Sequence, residues 1–311
     1  MKDKRKNVAQ SVRDRLKAAA SRLKLDYNLI LVRYVLERLL FRLSASRHKD
    51  RFALKGAMLF VAWTEDVIRP TRDLDLLGFG ESEIEEIRGA FADILGTQVP
   101  DDGVVFDMNA LEAEPIRADQ LYDGVRVFVL AFVGTARVPV QIDIGFGDAV
   151  TPGLDERDYP TLLDMPAPRL KTYPRETVVA EKLEAIISIG TRTSRMKDFY
   201  DLFCLARMFE FDGETLSTAI RATFDRRGTE VPTERPSALS SEFAEDADVN
   251  DRWAAFVRRT PLLIAPPPLV DLVDELQDFV LPPARMAAGV GERLEVWSSD
   301  VGWTVKTPTK G

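Results

Sequence analysis

The chain has 311 residues, 45% hydrophobic and 30% charged, with a net charge of −8. Such a composition suits a globular protein with one large core or two smaller ones, and the acidic balance argues against a general polyanion binder. No run approaches the roughly 18 apolar residues of a membrane span, Met1–Lys6 lacks the apolar core of a secretion signal, and the single Cys204 excludes an internal disulfide, so a cytoplasmic protein is expected.

The charge is uneven. Residues 1–51 hold 15 Lys and Arg against 5 Asp and Glu, a net +10 beside −18 for the remainder. A basic segment on an acidic body is either a nucleic-acid footprint or a solvated helix face. Within residues 8–24, Val8, Val12, Leu16, Ala19 and Leu23 recur at helical spacing, with basic residues between them. Asp26 is placed to cap a second helix, Tyr27 to Leu43, apolar enough to be mostly buried. Ser44 to Asp50 reads as a loop containing His48, which has no acid partner at useful spacing. One histidine and one cysteine leave a zinc site unexpected. Phe52-Ala53-Leu54 returns to the core.

Lys55-Gly56-Ala57 leads into an amphipathic segment, Met58 to Trp63, and such a turn presents backbone N–H groups to an anion. Asp73 and Asp75 then lie two apart in an apolar run, so in a strand they share a face while Leu74 and Leu76 take the other. Paired carboxylates repel unless a cation neutralises them, and oxygen-only ligands suit magnesium or manganese. Arg69 and Thr71, just upstream, hold either a phosphate or the strand geometry. Ser82 is placed to cap a helix that reaches Leu95, with Glu83, Glu85 and Glu86 near its start.

Strands are predicted over Val104 to Met108, Arg126 to Val133 and Val138 to Ile144. Asp143, set among isoleucines, is either an edge-strand acid pointing to water or a third metal-directed carboxylate. The prolines at 152, 160, 166, 168 and 174 mark a connector to a helical half. In the helix Glu176 to Ile189, Lys182 falls four residues from both Val178 and Ile186, beside the apolar stripe. There it snorkels, pairs with a neighbouring glutamate, or faces an anion. A basic loop, Thr191 to Lys197, precedes a helix from Asp198 to Phe209, with Asp201 one turn on and Cys204 in its apolar middle. Further helices are expected over Leu216 to Phe224, Asp251 to Arg259 and Leu269 to Val280. Residues 228–248 read as an exposed loop, and Trp297 and Trp303 imply that the tail beyond Pro282 packs.

Taken together, a glycine turn, two or three strand carboxylates and a buried lysine are the parts that phosphoryl or nucleotidyl transfer needs. LKGAMLF, RPTRDLDL, VQIDIGFGDAVTP, ETVVAEKLEAI and RMKDFYDL, in that order, resemble the AbiEii/AbiGii family of nucleotidyltransferase toxins over roughly residues 25–260. The resemblance implies an α+β, polymerase-beta-like nucleotidyltransferase fold, a mixed sheet with helices followed by a helical C-terminal region. The expected division is a basic helical segment over 1–50, a core sheet over 51–165, a helical domain over 166–284 and a tail over 285–311.

The resemblance also implies the toxin of a type IV toxin–antitoxin or abortive-infection pair, with a cognate antitoxin. MenT-type relatives transfer nucleotides from NTP to the 3′ acceptor end of tRNA, which blocks translation. Carried over, Gly56-Ala57 takes the place of the Gly-Ser motif, Asp73 and Asp75 the metal pair, and Asp143 the third carboxylate for Mg2+ or Mn2+. Lys182 matches the motif lysine and Asp198 the acid of the last motif, with Asp201 its competitor. The serine is absent at Ala57, which puts the mode of triphosphate binding in question. Two other readings stay open: nucleotidyl transfer to a protein, and a catalytically silent NTP- or partner-binding module.

Overall fold

A computed structural model describes residues 2–116 and 124–305, with side chains of the first helix from residue 8 onward. The basic side chains of residues 2–6 and the end of the tail lie outside the described residues. The chain divides into two compact units, residues 1–147 with 155–172, and residues 148–154 with 173–311.

In the first unit, helix α1 (Lys2–Leu23) buries Val12, Leu16 and Ala19 of the predicted stripe together with Ala9, while Leu23 is exposed. The Asp26 carboxylate accepts from the backbone N–H groups of Asn28 at 2.8 Å and Leu29 at 3.4 Å, capping α2 (Tyr27–Ala45) as expected. Helix α2 is buried along most of its length, including Glu37, Arg38 and Arg42. Charges inside a core must be paired. Arg42 donates to both oxygens of Asp102 at 2.7 and 3.0 Å, and Arg38 lies 3.3 Å from Glu37. Part of the basic surplus is therefore consumed internally, leaving Arg15, Lys17, Arg22, Lys24, Arg47 and Lys49 exposed.

The remaining elements are β1 (Phe52–Lys55), α3 (Met58–Thr64), β2 (Asp73–Gly78), α4 (Ile84–Gly96), β3 (Val104–Pro115), β4 (Gly124–Val133), β5 (Ala136–Phe146), β6 (Asp155–Asp158) and β7 (Arg169–Thr172). The strands form one mixed sheet, ordered β3-β4-β5-β2-β1-β7-β6. β2 runs parallel to β5 and β1 parallel to β7, and the other pairings are antiparallel. Helix α1 packs on β4, and α2 on β5 and β7.

Three expectations change here. The proline-spaced connector contains β6 and β7, because Pro160, Pro166, Pro168 and Pro174 flank these strands and cost no ladder hydrogen bond. β3 runs to Pro115, past the predicted Met108, because a register shift between Asp107 and Glu112 interrupts the alternation that would reveal it. Helix α4 is preceded by Glu83, with no side-chain capping bond, in place of Ser82.

The second unit holds α5 (Arg175–Ile189), α6 (Met196–Met208), β8 (Phe211–Asp212), α7 (Gly213–Arg227), α8 (Ser241–Glu245), α9 (Ala247–Arg259), α10 (Leu269–Ala287), β9 (Leu294–Ser298) and β10 (Gly302–Val305). Residues 228–248 are not simply an exposed loop. Ala238, Leu239, Phe243 and Ala244 are buried, and Phe243 stacks on Phe199 at 5.6 Å. Helix α10 continues through Pro282 and Pro283, where sequence reasoning ended it, because Pro283, Ala284 and Ala287 extend its buried face. Leu272, Leu276 and Phe279 on that face each contribute about 1.5–3 kcal/mol by leaving water. The tail packs as expected. Trp297 Nε1 donates to the Ala206 carbonyl and Trp303 Nε1 to the Phe279 carbonyl, both at 2.8 Å, and Phe279 and Trp297 lie 4.9 Å apart.

The basic helices belong to the first compact unit, where they cover the sheet, and the tail strands to the second, where they join β8. No described helix is long and apolar enough to cross a membrane.

Candidate functional site

Strand register assembles a row of charges on the first unit's sheet. Asp75 is partnered with Asp143 across the parallel pair, Arg126 with Asp143 across the antiparallel pair, and Lys55 with Asp75 across β1. Register partners share a face. Arg126, Asp143, Asp75 and Lys55 therefore form one row over four strands, its two acids bracketed by two bases. Asp73 stands on the same face, two residues from Asp75 and opposite Gln141. All six are half-buried, whereas Leu74, Leu76, Val125, Val127, Ile142 and Ile144 of the same strands are buried. The apolar face anchors the strands and the polar face carries the chemistry.

Asp143 stands on β5, between β4 and β2. β5 is interior, so it is not an edge-strand acid. Its carboxylate accepts from Arg126 Nε at 2.7 Å and Nη2 at 2.8 Å, and from Gln141 Nε2 at 3.1 and 3.3 Å. The Arg126 contact is bidentate, and the Gln141 amide is shared between the two oxygens. The hydrogen bond to Asp143 raises the Arg126 pKa against the cost of its partial burial, with Asp73 adding to the pull. Among the described residues, no group of three or more His, Cys, Asp or Glu side chains is arranged to hold a metal. By donor chemistry, Asp73 and Asp75, with Asp143 in register on the neighbouring strand, are the carboxylates that would suit a hard divalent cation.

The glycine turn packs directly against this pair. Gly56 has φ +73°, and a Cβ placed on it would lie 2.0 Å from Asp75 Oδ2, so only glycine allows this approach. Ala57 is buried and makes no side-chain capping bond to α3. The Thr71 hydroxyl lies 3.3 Å from the Asp73 carbonyl and 3.4 Å from its N–H, which favours the strand-geometry role. Arg69 and Thr71 line a small, mostly apolar cavity of about 30 Å³ with Ala57, Met58, Arg33 and Tyr159.

In the second unit, Lys182 of α5 bridges two buried aspartates of α6. Its ammonium lies 3.0 Å from Asp198 Oδ1 and 2.5 Å from Asp201 Oδ2. Of the roles open to Lys182 in sequence, ion pairing is seen, and its acids include both Asp198 and Asp201. Arg195, from the basic loop, also pairs with Asp198. Burial alone would raise the Asp198 pKa, but Lys182 and Arg195 hold it well below the usual carboxylate range. Arg192 and Lys197 of the loop are exposed, and Cys204 is core. His48, which showed no acid partner in sequence, lies 3.0 Å from Asp93 of α4.

Residues 38–277 match the family described as nucleotidyl transferase AbiEii toxin of type IV toxin–antitoxin systems. The chain belongs to the AbiEii family. The match spans every site residue named above. No curated protein matches the chain. Two crystal structures from Helicobacter pylori are similar, JHP933 and a candidate nucleotidyltransferase, each with 14% identity and a TM-score of 0.48. The likeness covers 86% of this chain in both cases, and 94% and 97% of those chains respectively.

For this AbiEii chain, sequence reasoning missed Arg126, Gln141 and Lys55 as neighbours of the acids. The available signal was weak: a charged residue on the polar face of a strongly alternating strand, Gly124–Val133. Which acid it meets depends on register alone.

Proposed function

We propose that this AbiEii toxin transfers NMP from an NTP to RNA, with the 3′ acceptor end of tRNA as the acceptor and a block in translation as the outcome. The observation that carries this reading is the pair Asp73 and Asp75 on one half-buried face of β2, with Asp75 packed against the positive-φ turn at Gly56. Asp73 and Asp75 would hold magnesium or manganese, which would supply charge neutralisation for the triphosphate and activation of the attacking hydroxyl, with pyrophosphate as the leaving group. The chain's own residues supply the positioning. Gly56 fixes where the Asp75 carboxylate sits, and Thr71 sets the entry of β2. Backbone N–H groups of the Gly56-Ala57 turn take phosphate oxygens in place of the missing hydroxyl. In this reading Arg69 adds a cation near the phosphates. The exposed Arg15, Lys17, Arg22 and Lys24 of α1, with Arg192 and Lys197, contact RNA phosphates and leave base choice to other residues.

The test incubates the protein with total tRNA, Mg2+ and each labelled NTP in turn. Label on tRNA that disappears in Asp75→Ala supports the proposal. Label on protein alone would move the acceptor to a side chain. NTP binding with no transfer would make this a silent binding module.

A further inference from the structure

Arg126 lies between two acids. Its register partner on β3 is the exposed Glu114, and on β5 it is Asp143. The guanidinium grips Asp143, with Nε at 2.7 Å and Nη2 at 2.8 Å. Strands β4 and β5 are interior and hold both backbones in place, but the pair they carry is open to solvent, its side chains 31% and 23% exposed. An ion pair that solvent reaches is exchangeable, and the long arginine stem lets the guanidinium turn without moving the sheet. The hydrogen bond to Asp143 raises the Arg126 pKa, with Asp73 and Glu114 adding to the pull. Arg126 therefore keeps its charge and leaves Asp143 only for another anion. Asp143 in turn stands opposite Asp75. A divalent cation drawn to these acids competes with the guanidinium for the Asp143 oxygens, because two cations on one carboxylate repel.

We infer that Arg126 is an exchangeable arm: as Asp143 turns its oxygens to the divalent cation, the guanidinium is released and grips the triphosphate. On the metal and NTP reading made above, Arg126 is then a phosphate-binding residue that Asp143 holds back until the cation arrives. Its planar fork suits phosphate oxygens as well as it suits a carboxylate. Cation and NTP therefore bind cooperatively, since each favours the arrangement the other needs.

Binding to the full chain tests this without relying on turnover. Mn2+ is followed by electron paramagnetic resonance and the α,β-methylene analogues of the four NTPs by calorimetry, each alone and with the other saturating. Arg126→Gln removes the competing cation, so Mn2+ alone should bind on the order of tenfold more tightly. With Mn2+ saturating, the same variant should bind the analogue roughly tenfold or more weakly, the loss of a charge-assisted contact. Asp143→Asn should weaken Mn2+ by roughly tenfold or more. Without Mn2+ it should strengthen analogue binding about threefold, the scale of a partly exposed ion pair, and adding Arg126→Gln should remove that gain. Arg126→Lys keeps the charge without the fork and should fall between, and thermal melts confirm that each variant is folded. Unchanged affinities in Arg126→Gln would make the pair a structural brace and overturn the inference. Tighter Mn2+ with unchanged analogue binding would also overturn it, sending the arm to Glu114. In both cases Mn2+-dependent NTP binding by the wild type would survive. A wild type that binds neither would overturn the metal and NTP reading, and the inference with it.

Discussion

Gly56→Ala puts the geometry of the first unit to its most direct test. The added methyl would sit 2.0 Å from Asp75 Oδ2 and 2.7 Å from its Cβ and Cγ. Ordinary non-bonded contact needs about 3.5 Å, so the carboxylate must retreat by roughly 1.5 Å or the turn must open. The backbone adds its own cost, since a side chain at φ +73° loses about 1–2 kcal/mol. Overpacking adds about 1–3 kcal/mol. A total near 3 kcal/mol lowers the melting temperature by about 6–12 °C for a unit of this size. Activity should fall further than stability, because a displacement of about 1 Å at a reacting centre costs on the order of a hundredfold. Labelled-NTP transfer to tRNA, measured well below the melting transition, separates the two effects. A Gly56→Ala protein with wild-type melting and transfer would refute the placement of this turn against Asp75.

Asp73→Ala and Asp75→Ala should each abolish transfer while melting within a few degrees of wild type, because each removes a like-charge neighbour along with the ligand; retained turnover in either variant would count against the metal pair. Lys182→Met should destabilise by about 3–5 kcal/mol, since it removes the cation that buried Asp198 and Asp201 share and leaves their negative charges less compensated, and a melting temperature that falls by less than about 3 °C would contradict that. Glu37 supplies a pH signature: burial lifts its pKa from 4.5 to about 7 in the folded chain. The folded state then holds the proton more tightly than the unfolded one, so stability falls as pH rises through that window and levels off above it. The loss is at most about 3 kcal/mol, and Glu37→Gln should flatten the dependence of melting temperature on pH between 5 and 7. An unchanged slope in that variant would remove Glu37 as the source.

Much of the fold followed from local pattern, because local pattern is what fixes helices and single strands. The Asp26 cap, the buried α2 and the stripe of α5 were all legible. So was the shared face of Asp73 and Asp75, since a strand's two-residue period is set by its own backbone. The five motifs also sufficed to indicate the family. What the chain could not show by itself was anything set by pairing between distant segments. β6 and β7 were hidden among prolines because only the pairing of β7 with β1, and of β6 with β7, makes them strands. His48 found Asp93, and Lys182 found both Asp198 and Asp201, through packing of separate helices. Asp143 is the sharpest case. Nothing local in the chain sets a cation opposite it; the register of β4 on β5 does, and it brings the Arg126 guanidinium onto the Asp143 carboxylate.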